Sequence, residues 1–314
     1  MSETVAIVGT GLVGRAWAIA FARAGWQCRL HDTAPGAAAA ARERIGPLVD
    51  DLVEAGLLDD AAPVLARITV ADDLASALAD VAWVQESVPE DVAIKKALWA
   101  ELDRLAPADA LLVSSTSAIV PSRFTENLAG RHRCLVAHPL NPPYVIPAAE
   151  LVPAPWTDDA VMQRARAVME SIGMAPIVMK KELDGFVMNR LQGALLEEAF
   201  RLVDEGYCSA EDVDRGLKDG LALRWSFMGP FETIDLNAPG GVADYCRRYE
   251  QIYQRLQPTM LHRADWNGPV LERIVAERRA KVPQTALADR QRWRDRRLMA
   301  LTAHKRNAAR DIGD

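Results

Sequence analysis

His138 opens the run His138-Pro139-Leu140-Asn141-Pro142-Pro143, and Glu150 follows twelve positions later. An imidazole is a natural base for a secondary alcohol near neutral pH. A carboxylate folded back to it by the proline-rich turn would fix its tautomer and stabilise the imidazolium formed during oxidation. Ser117, closing Ser114-Ser115-Thr116-Ser117, supplies a hydroxyl, and Asn189 supplies an amide. Each has a plainer alternative when taken alone: a structural histidine, a solvated glutamate, a turn serine, a helix-start asparagine. Together, in this order, they suit removal of a hydroxyl proton as hydride leaves the same carbon.

A hydride needs an acceptor, and the N-terminus offers a place for one. Val5-Ala6-Ile7-Val8 reads as a buried strand running into Gly9-Thr10-Gly11-Leu12-Val13-Gly14 and then a helix. In such a turn Gly9 permits the bend, Gly11 lets the backbone approach a pyrophosphate, and Gly14 lets the helix pack closely. The helix N-terminus, with Leu12 and Val13 in its first turn, would offer free N–H groups to the phosphates. The next strand, Gln27-Cys28-Arg29-Leu30-His31, ends in Asp32, where a carboxylate would accept hydrogen bonds from an adenosine ribose. Thr33-Ala34-Pro35 follow, with no arginine for a 2′-phosphate, so NAD is expected rather than NADP.

These residues need a sheet to carry them. Strand-length apolar runs recur at Ala82-Trp83-Val84, Ala110-Leu111-Leu112-Val113, Cys134-Leu135-Val136-Ala137 and Pro176-Ile177-Val178-Met179. Helical patterns separate them, which predicts an α/β Rossmann-type doubly wound, mostly parallel sheet. Residues 37–55 read as an extra helical insertion. From Phe186 the apolar residues Val187, Leu191, Leu195, Ala199, Leu202 and Val203 fall at helical spacing, Gly206 is placed to stop that helix, and Ser209 to cap the next. The expected division is residues 1–184 for NAD and 185–314 as a smaller all-helical domain for substrate and dimerisation, with substrate between them. Arg224 is read as a loop residue between Gly220 and Gly229-Pro230. There a guanidinium would clamp a substrate carboxylate; an exposed arginine without a ligand is the alternative.

Composition narrows the class. The 314 residues carry 37 Lys and Arg against 43 Asp and Glu, a formal charge of −6. No global basic field speaks for nucleic acid. The basic stretch from Arg273 to Arg310 reads as a solvated helical face, with Trp293, Leu298 and Leu301 on its packed side. No apolar run has bilayer-spanning length and no signal peptide opens the chain, so a cytoplasmic protein is expected. Cys28, Cys134, Cys208 and Cys246 are scattered, which argues for buried free thiols over a metal site or disulfides.

On Ser117, His138 to Pro142, Glu150 and Gly185-Phe186-Val187-Met188-Asn189-Arg190-Leu191, the chain resembles the 3-hydroxyacyl-CoA dehydrogenase superfamily over nearly its whole length. Val88-Pro89-Glu90-Asp91, His138 to Tyr144, Glu150 to Pro153, Leu223 to Pro230 and Arg292-Trp293-Arg294-Asp295 resemble most its lambda-crystallin / L-gulonate 3-dehydrogenase branch. The resemblance implies that Asp32, Glu90 and Lys95 contact NAD, and that Ser117, His138, Glu150 and Asn189 form the active site. It implies oxidation of a small 3-hydroxy acid such as L-gulonate, while the long amphipathic helices after Phe186 offer a two-fold contact for a homodimer. Ala148-Ala149 and Pro139 depart from the superfamily pattern, which leaves a 3-hydroxyacyl-CoA or L-carnitine open as substrate. A structural, crystallin-like NAD-binding role is the reading from another class.

Overall fold

Val5 and Ile7 face one side of the first strand, Ala6 and Val8 the other, and all four are buried. A strand covered on both faces belongs inside a layered α/β sheet. The computed structural model, which describes residues 3–313, shows that sheet. Its strands are β1 (Thr4–Val8), β2 (Gln27–His31), β3 (Ile68–Val70), β4 (Trp83–Glu86), β5 (Leu111–Ser114), β6 (Cys134–Pro139), β7 (Ala148–Pro153) and β8 (Ala175–Val178). They lie in the order β3-β2-β1-β4-β5-β6-β7-β8, all neighbours parallel except β6 and β7. The strand order reverses between β1 and β4, and ligands of such sheets bind at that crevice, beyond the carboxyl ends.

The first seven helices are α1 (Leu12–Arg23), α2 (Ala37–Glu54), α3 (Ala62–Ala66), α4 (Leu74–Leu78), α5 (Val92–Leu105), α6 (Ser122–Thr125) and α7 (Asp159–Ser171). One face of the sheet packs Trp17 and Phe21 of α1 with Trp26 and Trp83. The other packs Trp99 of α5 edge-on to Phe124, with Phe186 in the same cluster. Burying a large side chain is worth roughly 1.5–3 kcal/mol, so these two layers fix the sheet edge that carries the site.

The later helices are α8 (Met188–Asp204), α9 (Ala210–Gly216), α10 (Ala222–Trp225), α11 (Pro230–Leu236), α12 (Gly241–Leu256), α13 (Pro269–Lys281) and α14 (Leu287–Ile312). No strand follows β8 among the described residues. Gly206, at φ +76°, ends the α8 segment, and the Ser209 hydroxyl accepts from the Asp212 N–H to cap α9.

By packing, the first compact unit runs to Asn189, a few residues past the expected boundary at 184, and Arg294–His304 belongs with it. Met299, fully buried there against α2, is the physical reason. Trp293 and Leu301, expected on the packed side of the last helix, are 47% and 44% exposed. Cys28 and Cys134 are buried free thiols, but Cys208 is half-buried and Cys246 exposed. Burial pushes the Cys28 thiol well up and that of Cys134 up to about 12, so neither is a ready nucleophile. Strands β3 and β7 were not anticipated.

Candidate active site

The antiparallel pairing of β6 and β7 sets His138 directly opposite Glu150. His138 Nδ1 and Glu150 Oε2 lie 2.6 Å apart, with His138 4% exposed and Glu150 fully buried. Glu150 Oε1 accepts from the N–H groups of Val187 and Met188, at 2.6 and 2.8 Å. These donors stand at the start of α8, where a helix favours negative charge. Burial works against ionisation of Glu150, but the bonds from His138, Met188 and Val187 outweigh it and hold its carboxyl below the ordinary range. Nδ1 is committed to Glu150, which leaves Nε2 as the nitrogen for a substrate hydroxyl.

The entry to α8 is bent for this purpose. Gly185 and Phe186 both adopt positive φ, at +76° and +49°. For a phenylalanine that conformation is costly, and it persists because the side chain is fully buried and its N–H bonds to the Leu183 carbonyl. Phe186 also packs on the His138 ring, with centroids 5.5 Å apart. The Gly185-Phe186 pair is visible in the sequence as part of the family-like motif, but its packing role is not.

Asn189, two residues past Val187, donates from Nδ2 to the Ser117 carbonyl at 2.6 Å. The expected amide thus anchors the Ser117 main chain. Ser117 itself is exposed. Its N–H donates to Glu90 Oε1 at 2.6 Å, as do the Thr116 hydroxyl at 2.6 Å and the Ala118 N–H at 3.1 Å. One connected set of contacts therefore joins His138, Glu150 and the start of α8, and continues through Asn189 to Ser117 and Glu90.

Lys95 departs from its expected place at the cofactor surface. It is 0% exposed, and its Nζ donates to both oxygens of Glu86 at 2.8 and 3.0 Å. Glu90 Oε2 lies 3.7 Å from the same ammonium and its side chain is 40% exposed, so Glu90 is the member of this group that meets solvent. Glu86 and its partner Trp99 escaped the sequence reading, since a glutamate ending an apolar strand gave no sign of burial.

The dinucleotide turn lies between β1 and α1. Gly9 has φ +89°, and a Cβ there would meet the Ser87 backbone at 2.7 Å. A Cβ on Gly14 would sit 1.9 Å from the Gly9 carbonyl oxygen. Gly11 differs: beyond its chain neighbours, nothing among the described residues lies within 4 Å of where its Cβ would be. That open face lies at the α1 N-terminus, with Leu12 beside it 62% exposed and Val13 half-buried. Asp32 accepts from the Thr10 N–H and hydroxyl at 2.7 and 2.9 Å and from the Ala34 N–H at 3.0 Å. Burial opposes its ionisation, but these bonds hold its carboxyl below the usual range. A charged acceptor next to an uncovered phosphate cradle fits NAD and repels a 2′-phosphate.

Arg224, expected on a loop, lies in α10, continuous with a π-helical turn at Leu217–Leu221. Its Nε is buried with no hydrogen-bond partner among the described residues. Among the described residues no group of three or more His, Cys, Asp or Glu is placed to hold a metal, and no helix is long and apolar enough to cross a membrane.

Residues 4–183 match the NAD binding domain of 3-hydroxyacyl-CoA dehydrogenase, and residues 185–281 match its C-terminal domain. With the geometry above, this defines an NAD-dependent oxidoreductase acting on CH–OH groups. The chain belongs to the 3-hydroxyacyl-CoA dehydrogenase family. It is 41% identical to rabbit (Oryctolagus cuniculus) lambda-crystallin, covering 96% of each chain. It is 32% identical to an L-carnitine dehydrogenase of a Pseudomonas species, covering 95% of this chain and 92% of that one. Among solved structures it resembles a 5-formyl-3-hydroxy-2-methylpyridine 4-carboxylic acid 5-dehydrogenase, an NAD+-dependent dismutase. The TM-score is 0.81 at 29% identity, covering 96% of this chain and 97% of that one.

Proposed function

We propose that this enzyme oxidises the 3-hydroxyl of a small hydroxy acid, with L-gulonate as the representative substrate. The observation that carries the reading is the buried His138–Glu150 pair, whose free Nε2 takes the hydroxyl proton. Glu150 balances the charge that then develops on the imidazole, and Ser117 presents its hydroxyl to the substrate oxygen. NAD, when bound, accepts the hydride from the same carbon. Asp32, the Gly9–Gly14 turn with Leu12 and Val13, and Glu90 are the residues that would hold it, while Lys95 acts from beneath. The intact pair speaks against a purely structural, crystallin-like role, which needs no base.

A carboxylate-bearing substrate is favoured by Arg224, whose orphaned Nε is a donor in want of an acceptor. The test is NADH formation with L-gulonate, L-3-hydroxybutyrate, L-carnitine and 3-hydroxybutyryl-CoA. The reading expects the highest kcat/KM with L-gulonate and a raised KM for the acid in Arg224→Met. Preference for the thioester would overturn it.

The helical unit supports a homodimer. Its buried core is small, centred on Val203, Ala264 and Val270, while Phe227, Phe231, Leu236 and Leu261 are each at least 70% exposed. No residue of α12 is buried, and Tyr249, Ile252, Tyr253 and Leu256 all face outward. Apolar surface on this scale marks an association site, and a second copy is the simplest partner. Light scattering should return a dimer mass; a monomer at every concentration would contradict it.

A further inference from the structure

We propose that Glu86 is a positioning residue for Ser117, acting through Lys95 and Glu90. At the tip of β4, successive side chains leave opposite faces of the sheet. Gln85 goes one way, accepting from Trp83 Nε1 and donating to the Ser115 hydroxyl, which also meets Ser87. Glu86 goes the other way, level with Ser114 in the β4–β5 register. Its carboxylate is fully enclosed and every donor around it is used: Lys95 Nζ, the Ser114 hydroxyl at 2.7 Å, Trp99 Nε1 at 3.1 Å and the Val88 N–H at 2.7 Å.

Such a buried pair is a poor source of stability, because an apolar pair of the same volume does as well or better. What it does supply is an ammonium at a fixed place. That ammonium has one further carboxylate to attract, the Oε2 of Glu90. The other oxygen of Glu90 gathers three donors from Thr116, Ser117 and Ala118. Without Lys95 behind it, the exposed Glu90 side chain would be free to turn to water and release them. Asn189 holds the Ser117 carbonyl from the opposite side. The main chain of Ser117 is thereby pinned at both its N–H and its C=O. Its hydroxyl alone is left to find the substrate.

This inference rests on the reading that Ser117 touches substrate. The test is a double-mutant cycle on kcat and on KM for NAD, using Glu86→Gln, Ser117→Ala and the double variant. Glu86→Gln keeps the shape and removes the charge. It should lower kcat roughly 10–100-fold, the scale of a misplacement near 1 Å, with KM for NAD little changed. In the Ser117→Ala background it should have almost no further effect. Additive losses, or a rise in KM for NAD with kcat intact, overturn the proposal alone. Wild-type turnover in Ser117→Ala overturns the reading of Ser117 and the proposal with it. If Glu86→Gln does not fold, Glu90→Gln, at an exposed position, reads the same relay one step nearer. Non-additivity with Ser117→Ala is again expected, and additivity overturns it.

Discussion

His138 and Glu150 are cross-strand neighbours, so the 2.6 Å between Nδ1 and Oε2 is set by a sheet register and not by a loop. Cross-strand Cβ atoms sit roughly 5 Å apart whatever the loop beyond them does. The other oxygen of Glu150, bound to Val187 and Met188, leaves the carboxylate no room to turn.

Glu150→Gln should therefore be worse than the loss of one charge. The amide can keep the Val187 and Met188 bonds through its oxygen only by presenting its NH2 to Nδ1. The imidazole must then carry its proton on Nε2, the wrong tautomer for a base. We expect kcat to fall by roughly 10²–10⁴, comparable to His138→Gln, with NAD affinity retained in both. Near-normal turnover in either variant would remove His138 from its role.

Two glycines of one turn should respond in opposite ways. Gly14→Ala puts a methyl 1.9 Å from the Gly9 oxygen and should destabilise the first unit by about 3 kcal/mol or more. Gly11→Ala meets no atom within 4 Å beyond its own chain neighbours, and its φ of −63° suits any residue. Its melting temperature should stay put while NAD affinity drops at least about tenfold, because the pyrophosphate must approach that face. Thermal melts and NAD titrations of the two variants separate the effects.

Asp32→Ala should lower the preference for NAD over NADP, read as the ratio of kcat/KM values, by roughly 10–100-fold. It removes both a charge that repels a 2′-phosphate and an acceptor for a hydroxyl, and a charged hydrogen bond is worth about 1.5–3 kcal/mol. An unchanged ratio would mean that Asp32 serves only to hold Thr10.

Acid should loosen the first unit. Glu150 and Asp32 both titrate below the ordinary carboxylate range in the folded protein. A depressed carboxyl contributes stability that is fully present above its unfolded value and is lost as pH falls through the folded one. The melting temperature should decline as pH drops below the ordinary carboxylate range, and Glu150→Gln should show a shallower decline. A melting temperature flat across that range would contradict both assignments.

The sites that write themselves into sequence are those tied to local geometry. Gly9, Gly11 and Gly14 are legible because a turn admits few alternatives, and Asp32 because it follows a strand at a set distance. The His138–Glu150 partnership is visible as spacing, yet β7 itself is not, since Ala148-Ala149-Glu150 lacks the bulky apolar pattern of a buried strand. Lys95 shows the limit most clearly. It sits on an amphipathic helix like any surface lysine, and only tertiary contact with Glu86 reveals that it is enclosed. Arg224 was misplaced for a related reason: Gly220 looks like a helix stop, but the backbone passes through it in a wider turn.

The return of Arg294–His304 to the first unit makes residues 190–293, in covalent terms, a long insertion within that unit's sequence. A chain emerging from the ribosome can assemble β1 to β8 early, yet it cannot seat Met299 against α2 until residues 190–293 have been made. Until then the Rossmann layer carries an unfilled hollow, of the kind that costs about 2–5 kcal/mol when a buried methionine is cut to alanine. Completion of the nucleotide-binding half is thereby tied to synthesis of the helical segment that interrupts it.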